Sequence, residues 1–139
     1  MTGRWMAIDY GDRRIGLSVS DPTGMIASPA GHIVRRAGKR PPVAELIRRA
    51  EELEVTGFIL GLPLDGNGEE TPRCAEVRIV GEKLVERTQL PVRYVDERFT
   101  TAAALRTIRE MEASTRGRKG DVDAMAATIL LQHALRLPE

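Results

Sequence analysis

Three acidic residues stand where acids are costly. Asp9 follows Met6-Ala7-Ile8 in an apolar run the length of a core strand, and Gly11 comes two residues later. A carboxylate at the end of a buried strand, beside a glycine that admits close approach, suits a ligand site. The same Asp can instead cap the turn by accepting from nearby backbone amides. Asp96-Glu97-Arg98 ends a second such run, Pro91-Val92-Arg93-Tyr94-Val95, at the C-terminal edge where α/β sheets bind ligands. Taken alone, it also fits a solvated strand end with a Glu–Arg pair. Asp123 is the third. At about 100° per residue it shares a helical face with Ala126, Ala127, Leu130 and Ala134, while Asp121 points the other way. An acid in the first turn of an apolar stripe is expensive unless something cationic meets it. Oxygen donors from three distant parts of a chain suit Mg²⁺ or Mn²⁺ rather than zinc. On a phosphodiester, two such ions can activate water and stabilise the leaving oxygen.

The elements that must position these acids follow from pattern. Trp5 to Tyr10 and Ile15 to Ser20 read as a hairpin around Gly11-Asp12-Arg13-Arg14. Asp21-Pro22-Thr23-Gly24 is turn chemistry, and a third strand near Gly31 to Arg35 completes an antiparallel meander. Pro41-Pro42 opens a helix with Val43, Leu46, Ile47 and Ala50 at helical spacing. A short strand from Phe58 to Leu60 leads into a glycine-rich loop, Gly61 to Gly68. Thr71-Pro72 reads as an N-cap and first helical residue, with Cys74, Val77, Gly81 and Leu84 lining one face. After the strand Pro91 to Val95, Thr100 or Thr101 caps a helix carrying Leu105, Ile108 and Met111. A basic linker, Arg116-Gly117-Arg118-Lys119-Gly120, precedes a last helix from Asp121 to Leu135. The expected fold is α/β: a five-stranded mixed sheet, antiparallel meander then parallel strands, flanked by helices.

Composition excludes several function classes. The 139 residues suffice for one domain, and with 42% hydrophobic and 29% charged residues the chain is not disordered. No apolar run reaches the roughly 20 residues of a membrane span, and nothing before Asp9 reads as a signal peptide. One cysteine and two histidines build neither a disulfide nor a His-rich metal site, which favours a reducing cytoplasm. The 21 basic and 20 acidic residues nearly cancel, so contact with nucleic acid must rest on local clusters. With 4% aromatics, a base-stacking platform is not expected.

Four blocks carry a resemblance. Asp9-Tyr10-Gly11-Asp12-Arg13-Arg14-Ile15-Gly16-Leu17-Ser18-Val19-Ser20-Asp21 resembles the opening motif of the bacterial YqgF family, Holliday-junction-resolvase-like proteins associated with pre-16S rRNA processing. Gly61-Leu62-Pro63-Leu64-Asp65-Gly66, Asp96-Glu97-Arg98-Phe99-Thr100-Thr101 and Lys119-Gly120-Asp121-Val122-Asp123-Ala124-Met125-Ala126-Ala127 match in order. The resemblance implies one ribonuclease-H-like nuclease domain over residues 1–139, with Asp9, Glu97 and Asp123 as catalytic residues and ligands of Mg²⁺ or Mn²⁺. Arg13, Arg14, Arg98 and Lys119 are the expected substrate contacts. It further implies cytoplasmic maturation of the 5′ end of 16S ribosomal RNA, by a monomer or homodimer that binds structured RNA and no membrane. Val80 stands where relatives often carry Phe.

Alternatives remain at this level. A Holliday junction resolvase would act on four-way DNA, and a non-catalytic module would merely bind RNA. Asp9-Tyr10-Gly11 also resembles the first phosphate loop of actin-like enzymes, but those hold nucleotide between two such domains. Arg35-Arg36 with Lys39-Arg40, and Arg116, Arg118 and Lys119, are basic loops that suit either a phosphate backbone or plain solvated surface. The loop at 61–70 is either a flap over substrate or an ordinary connection.

Overall fold

The computed structural model describes residues 2–35, 40–98 and 119–138, at 119–121 for the backbone alone. Along them run β1 (Trp5–Tyr10), β2 (Arg14–Ser20), β3 (Ala27–Val34), α1 (Val43–Glu52), β4 (Gly57–Leu62), α2 (Pro72–Thr88), β5 (Val92–Asp96) and α3 (Lys119–Arg136). The helix expected around Leu105, Ile108 and Met111 lies outside the described residues. The strands form one sheet in the order β3-β2-β1-β4-β5. β1, β2 and β3 pair antiparallel, and β4 joins β1 and β5 in parallel. A meander continued by parallel strands is the expected arrangement.

β1 and β4 lie innermost, and every residue of both is buried. Helices cover both faces of the sheet there, so these strands read as nearly unbroken apolar runs. Alternation sorts their side chains. Met6, Ile8, Tyr10, Phe58, Leu60 and Leu62 pack with Leu46 of α1 and Val77 and Leu84 of α2. Trp5, Ala7, Ile59 and Val95 pack instead with Ala126, Leu130, Leu131 and Ala134 of α3. Cys74 is fully buried in the first of these cores, as its helical phase predicts.

The boundaries depart from the sequence reading in instructive places. β3 begins at Ala27, ahead of the expected Gly31; Ser28-Pro29-Ala30-Gly31 looks like a turn, yet an edge strand tolerates proline. β4 continues through Gly61 to Leu62, where a loop was expected, because these two residues pair with Val95 and Asp96. α3 opens at Lys119 rather than Asp121. Thr71 does stand at the N-cap of α2 before Pro72. Its hydroxyl donates to the Pro63 carbonyl at 3.1 Å, tying the helix to the exit of β4.

Candidate active site

β1 delivers Asp9 to the face beneath α3. It follows Ala7 by two residues, so alternation gives it the same side, and it is 1% exposed. Across the hairpin it pairs with Gly16. The glycine is required there, because a Cβ at Gly16 would overlap the carbonyl of Asp123. The start of α3 is thereby seated on β2, at Asp123, next to Asp9. One turn on, Ser18 Oγ donates to the Ala127 carbonyl at 2.7 Å and fixes the helix further along.

β5 delivers Glu97. Val95 packs under α3, and Glu97, two residues later, lies over β4. A Cβ on Gly61 would sit 2.5 Å from Glu97 Oε2 and 3.0 Å from Leu130 Cδ2. Gly61 is thus a cradle for the carboxylate. Glu97 is 4% exposed, and Asp123 is fully buried on the predicted stripe with Ala126, Ala127, Leu130 and Ala134. The structure brings the three acids to one face of the sheet, at the edge where β1, β4 and β5 end.

The expected substrate contacts separate into distinct environments. Arg13 is exposed on the β1–β2 turn. Arg14 opens β2 on the same face as Gly16 and Ser18, with its Nε 3.0 Å from Asp123 Oδ2. Its Nε makes no directed hydrogen bond, so the contact is one of charge. Here is the cation that the buried stripe demanded. Arg98 forks onto Asp96, with Nε 3.1 and 3.0 Å from the two carboxylate oxygens and Nη2 2.8 Å from Oδ2. These bonds to Arg98 hold the Asp96 carboxyl below its usual range, outweighing its partial burial. Arg98 Nη1 also reaches the Asp65 carbonyl at 3.4 Å. Asp65 in turn gathers the loop, its Oδ1 accepting from the amides of Asn67 and Glu69. Lys119 begins α3 one turn before Asp123.

On the opposite face of the same edge, the basic residue just after β3 turns inward. Arg35 stacks on the Tyr10 ring, 4.4 Å from its centroid, and bonds Glu76 Oε1 at 2.7 Å and the Gly11 carbonyl at 3.2 Å. Tyr10 donates to the same Glu76 oxygen at 3.1 Å. Burial, opposed by Arg35, pushes the Tyr10 hydroxyl up to about 12. Arg73 reaches Asp12 and the Tyr10 carbonyl. Arg35 is therefore a structural residue rather than a loop charge facing phosphate. Arg36 and Lys39 lie outside the described residues, and Arg40 is exposed.

Comparison with known proteins decides the family. A family model described as "RuvX: Holliday junction resolvase" matches residues 3–137. The chain belongs to the RuvX family. Curated relatives are named "Putative pre-16S rRNA nuclease". The protein from Roseiflexus sp. (strain RS-1) is 37% identical over 133 residues, covering 96% of this chain and 94% of its own length. That from Rhodospirillum centenum is 38% identical over 138 residues, covering 96% and 73%. Among solved structures, Thermus thermophilus RuvC in complex with a Holliday junction substrate superposes with a TM-score of 0.57 at 15% identity, over 96% of this chain and 93% of that one. The shared fold is ribonuclease-H-like, as the motifs imply for this RuvX-family chain.

The donor set fits a hard divalent cation in chemistry: three carboxylates, buried, on one face, with glycines where side chains would intrude. Among the described residues, however, no three His, Cys, Asp or Glu groups form a finished ligand cluster. Asp123 is met by Arg14 instead. No helix among the described residues is long and apolar enough to cross a membrane. Sequence reasoning missed Gly16, Gly61 and Ser18 as the seats of the site; each carried a signal only through pairing partners far away in the chain.

Proposed function

We propose that this chain is a divalent-metal-dependent nuclease, a single ribonuclease-H-like domain over residues 1–139, which hydrolyses phosphodiester bonds during 5′-end maturation of pre-16S ribosomal RNA in the cytoplasm. What supports this reading is the burial of Asp9, Glu97 and Asp123 on the α3 face of the sheet, in a chain of the RuvX family. The curated relatives' name supports the RNA substrate.

Asp9, Glu97 and Asp123 would hold Mg²⁺ or Mn²⁺. Such an ion, when bound, supplies a Lewis acid that lowers the pKa of water and stabilises a leaving oxygen. The chain supplies placement. Gly61 leaves room for Glu97 to lie flat over β4, and Gly16 lets the start of α3 close onto Asp9's partner strand. Arg98, locked onto Asp96, offers a fixed positive charge beside Glu97 and braces the loop of Asp65. Arg13, Arg14 and Lys119 would contact the phosphate backbone. These contacts orient a strand and supply affinity that falls with salt.

The family description favours a second reading, in which branched DNA is the substrate. Symmetric cutting of a four-way junction requires a two-fold dimer, whereas trimming an RNA end suits a monomer. Matched substrates separate the two: RNA spanning the 5′ end of 16S rRNA, and a four-way DNA junction, each incubated with purified protein and Mg²⁺. The expected result is cutting of the RNA. Exclusive cutting of the junction overturns the RNA assignment.

A further inference from the structure

Arg14 and Arg98 border the same edge, yet their carboxylate contacts differ in kind. Arg98 holds Asp96 by a fork of directed bonds, the geometry that makes arginine–carboxylate pairs strong and specific. Arg14 meets Asp123 through one contact of 3.0 Å, without a directed hydrogen bond from its Nε. The partners are also unequally buried: the Arg14 side chain is 22% exposed, and that of Asp123 is 0% exposed. Asp123 cannot leave, because its backbone carbonyl is seated against Gly16. Arg14, at the first residue of β2 and partly in water, can.

We infer that Arg14 is an exchangeable counter-ion for Asp123, which neutralises the buried carboxylate and is displaced when a divalent cation takes it. This rests on Asp9, Glu97 and Asp123 being the metal ligands. Its consequence is an unfavourable coupling between the arginine and the metal. Burying a carboxylate is costly unless opposite charge meets it, so the arginine supports the fold when metal is scarce. The same contact weakens metal binding, since the ion must compete with it.

Direct titration of Mn²⁺ into EDTA-stripped protein, read by calorimetry, tests this alongside thermal melts in EDTA. Arg14→Gln is expected to bind Mn²⁺ about five- to tenfold more tightly than wild type, at the low end of ordinary coupling, and to melt at a lower temperature in EDTA. Arg14→Lys, which keeps the charge, should fall between them and provides the comparison if the Gln variant folds poorly. In an Asp123→Asn background, Arg14→Gln should no longer change Mn²⁺ affinity. If wild type binds Mn²⁺ and both Arg14 variants bind it equally or more weakly, the exchange is wrong while the metal site stands. If wild type binds no Mn²⁺, the metal site falls and the exchange falls with it.

Discussion

Asp9 and Tyr10 are consecutive residues of β1, and they face opposite sides of the sheet at the same edge. Tyr10 enters a bonded network: its hydroxyl and the Arg35 guanidinium both donate to the Glu76 carboxylate, and Arg35 also donates to the Gly11 carbonyl, while its Nε makes no hydrogen bond. Asp9 enters a face where two more buried carboxylates gather. The contrast teaches how one strand end can be both foundation and site. Opposite charges matched on one side fix the β1–β2 turn and the start of α2. On the other side three buried carboxylates share one face, with Arg14 set against Asp123, an arrangement that raises the affinity of that face for a cation.

That difference can be broken from either side. The largest expected effect is on the acidic face. If the three acids hold the metal as proposed, Asp9→Asn, Glu97→Gln and Asp123→Asn should each cut cleavage by about a hundredfold or more, because each would remove a ligand charge, with the folded structure retained by circular dichroism. Next comes the cradle. Gly61→Ala pushes on Glu97 Oε2 and Leu130, and a misplaced reacting group of this kind costs about a hundredfold at most. Because a carboxylate end can give way, stability should change little. Gly16→Ala meets backbone instead, so it should destabilise by about 1–3 kcal/mol and shift α3 as well. Equal melting temperatures for the two glycine variants would contradict the seating of α3 on β2.

The other side should respond in stability alone. Arg35→Met leaves Glu76 and the Gly11 carbonyl short of a partner, a loss of about 1–3 kcal/mol. Cleavage per folded molecule should hold at temperatures below its melt. A steep fall in cleavage there would mean the two faces are not separate. The smallest effect concerns the loop that follows. Replacing Arg36, Lys39 and Arg40 together with Ala, and sparing Arg35, should lower the slope of log K against log salt for RNA binding by about 0.7 to 0.9 per lost contact. An unchanged slope would return those residues to ordinary surface.

The division between faces was half legible in the sequence. The three acids were visible because each interrupts an apolar pattern of known period, and the stripe of Asp123 through Ala134 has the burial that helical phase predicts. Their common edge followed from the order of strands. The balanced face was hidden. Arg35 lies among basic residues and glycines, and only the pairing of β3 with β2 carries it to Tyr10 and Glu76. Gly61 looked like the start of a loop because a glycine-rich run carries no strand signal; pairing with Val95 overrides that. Arg14 reads in sequence as a substrate contact, and its pairing with Asp123 depends on a separation in sequence that no local pattern spans.

The central claim is that phosphodiester cleavage depends on a divalent cation held by Asp9, Glu97 and Asp123. Its most direct test is cleavage of RNA spanning the 5′ end of 16S rRNA by wild type and by the three carboxamide variants, across a titration of Mg²⁺ and of Mn²⁺ and in excess EDTA. The predicted result is cutting by wild type that EDTA abolishes and added metal restores, with all three variants inactive or demanding far more metal. Cutting at an equal rate in EDTA, or full activity in any of the three variants at wild-type metal concentrations, would contradict it.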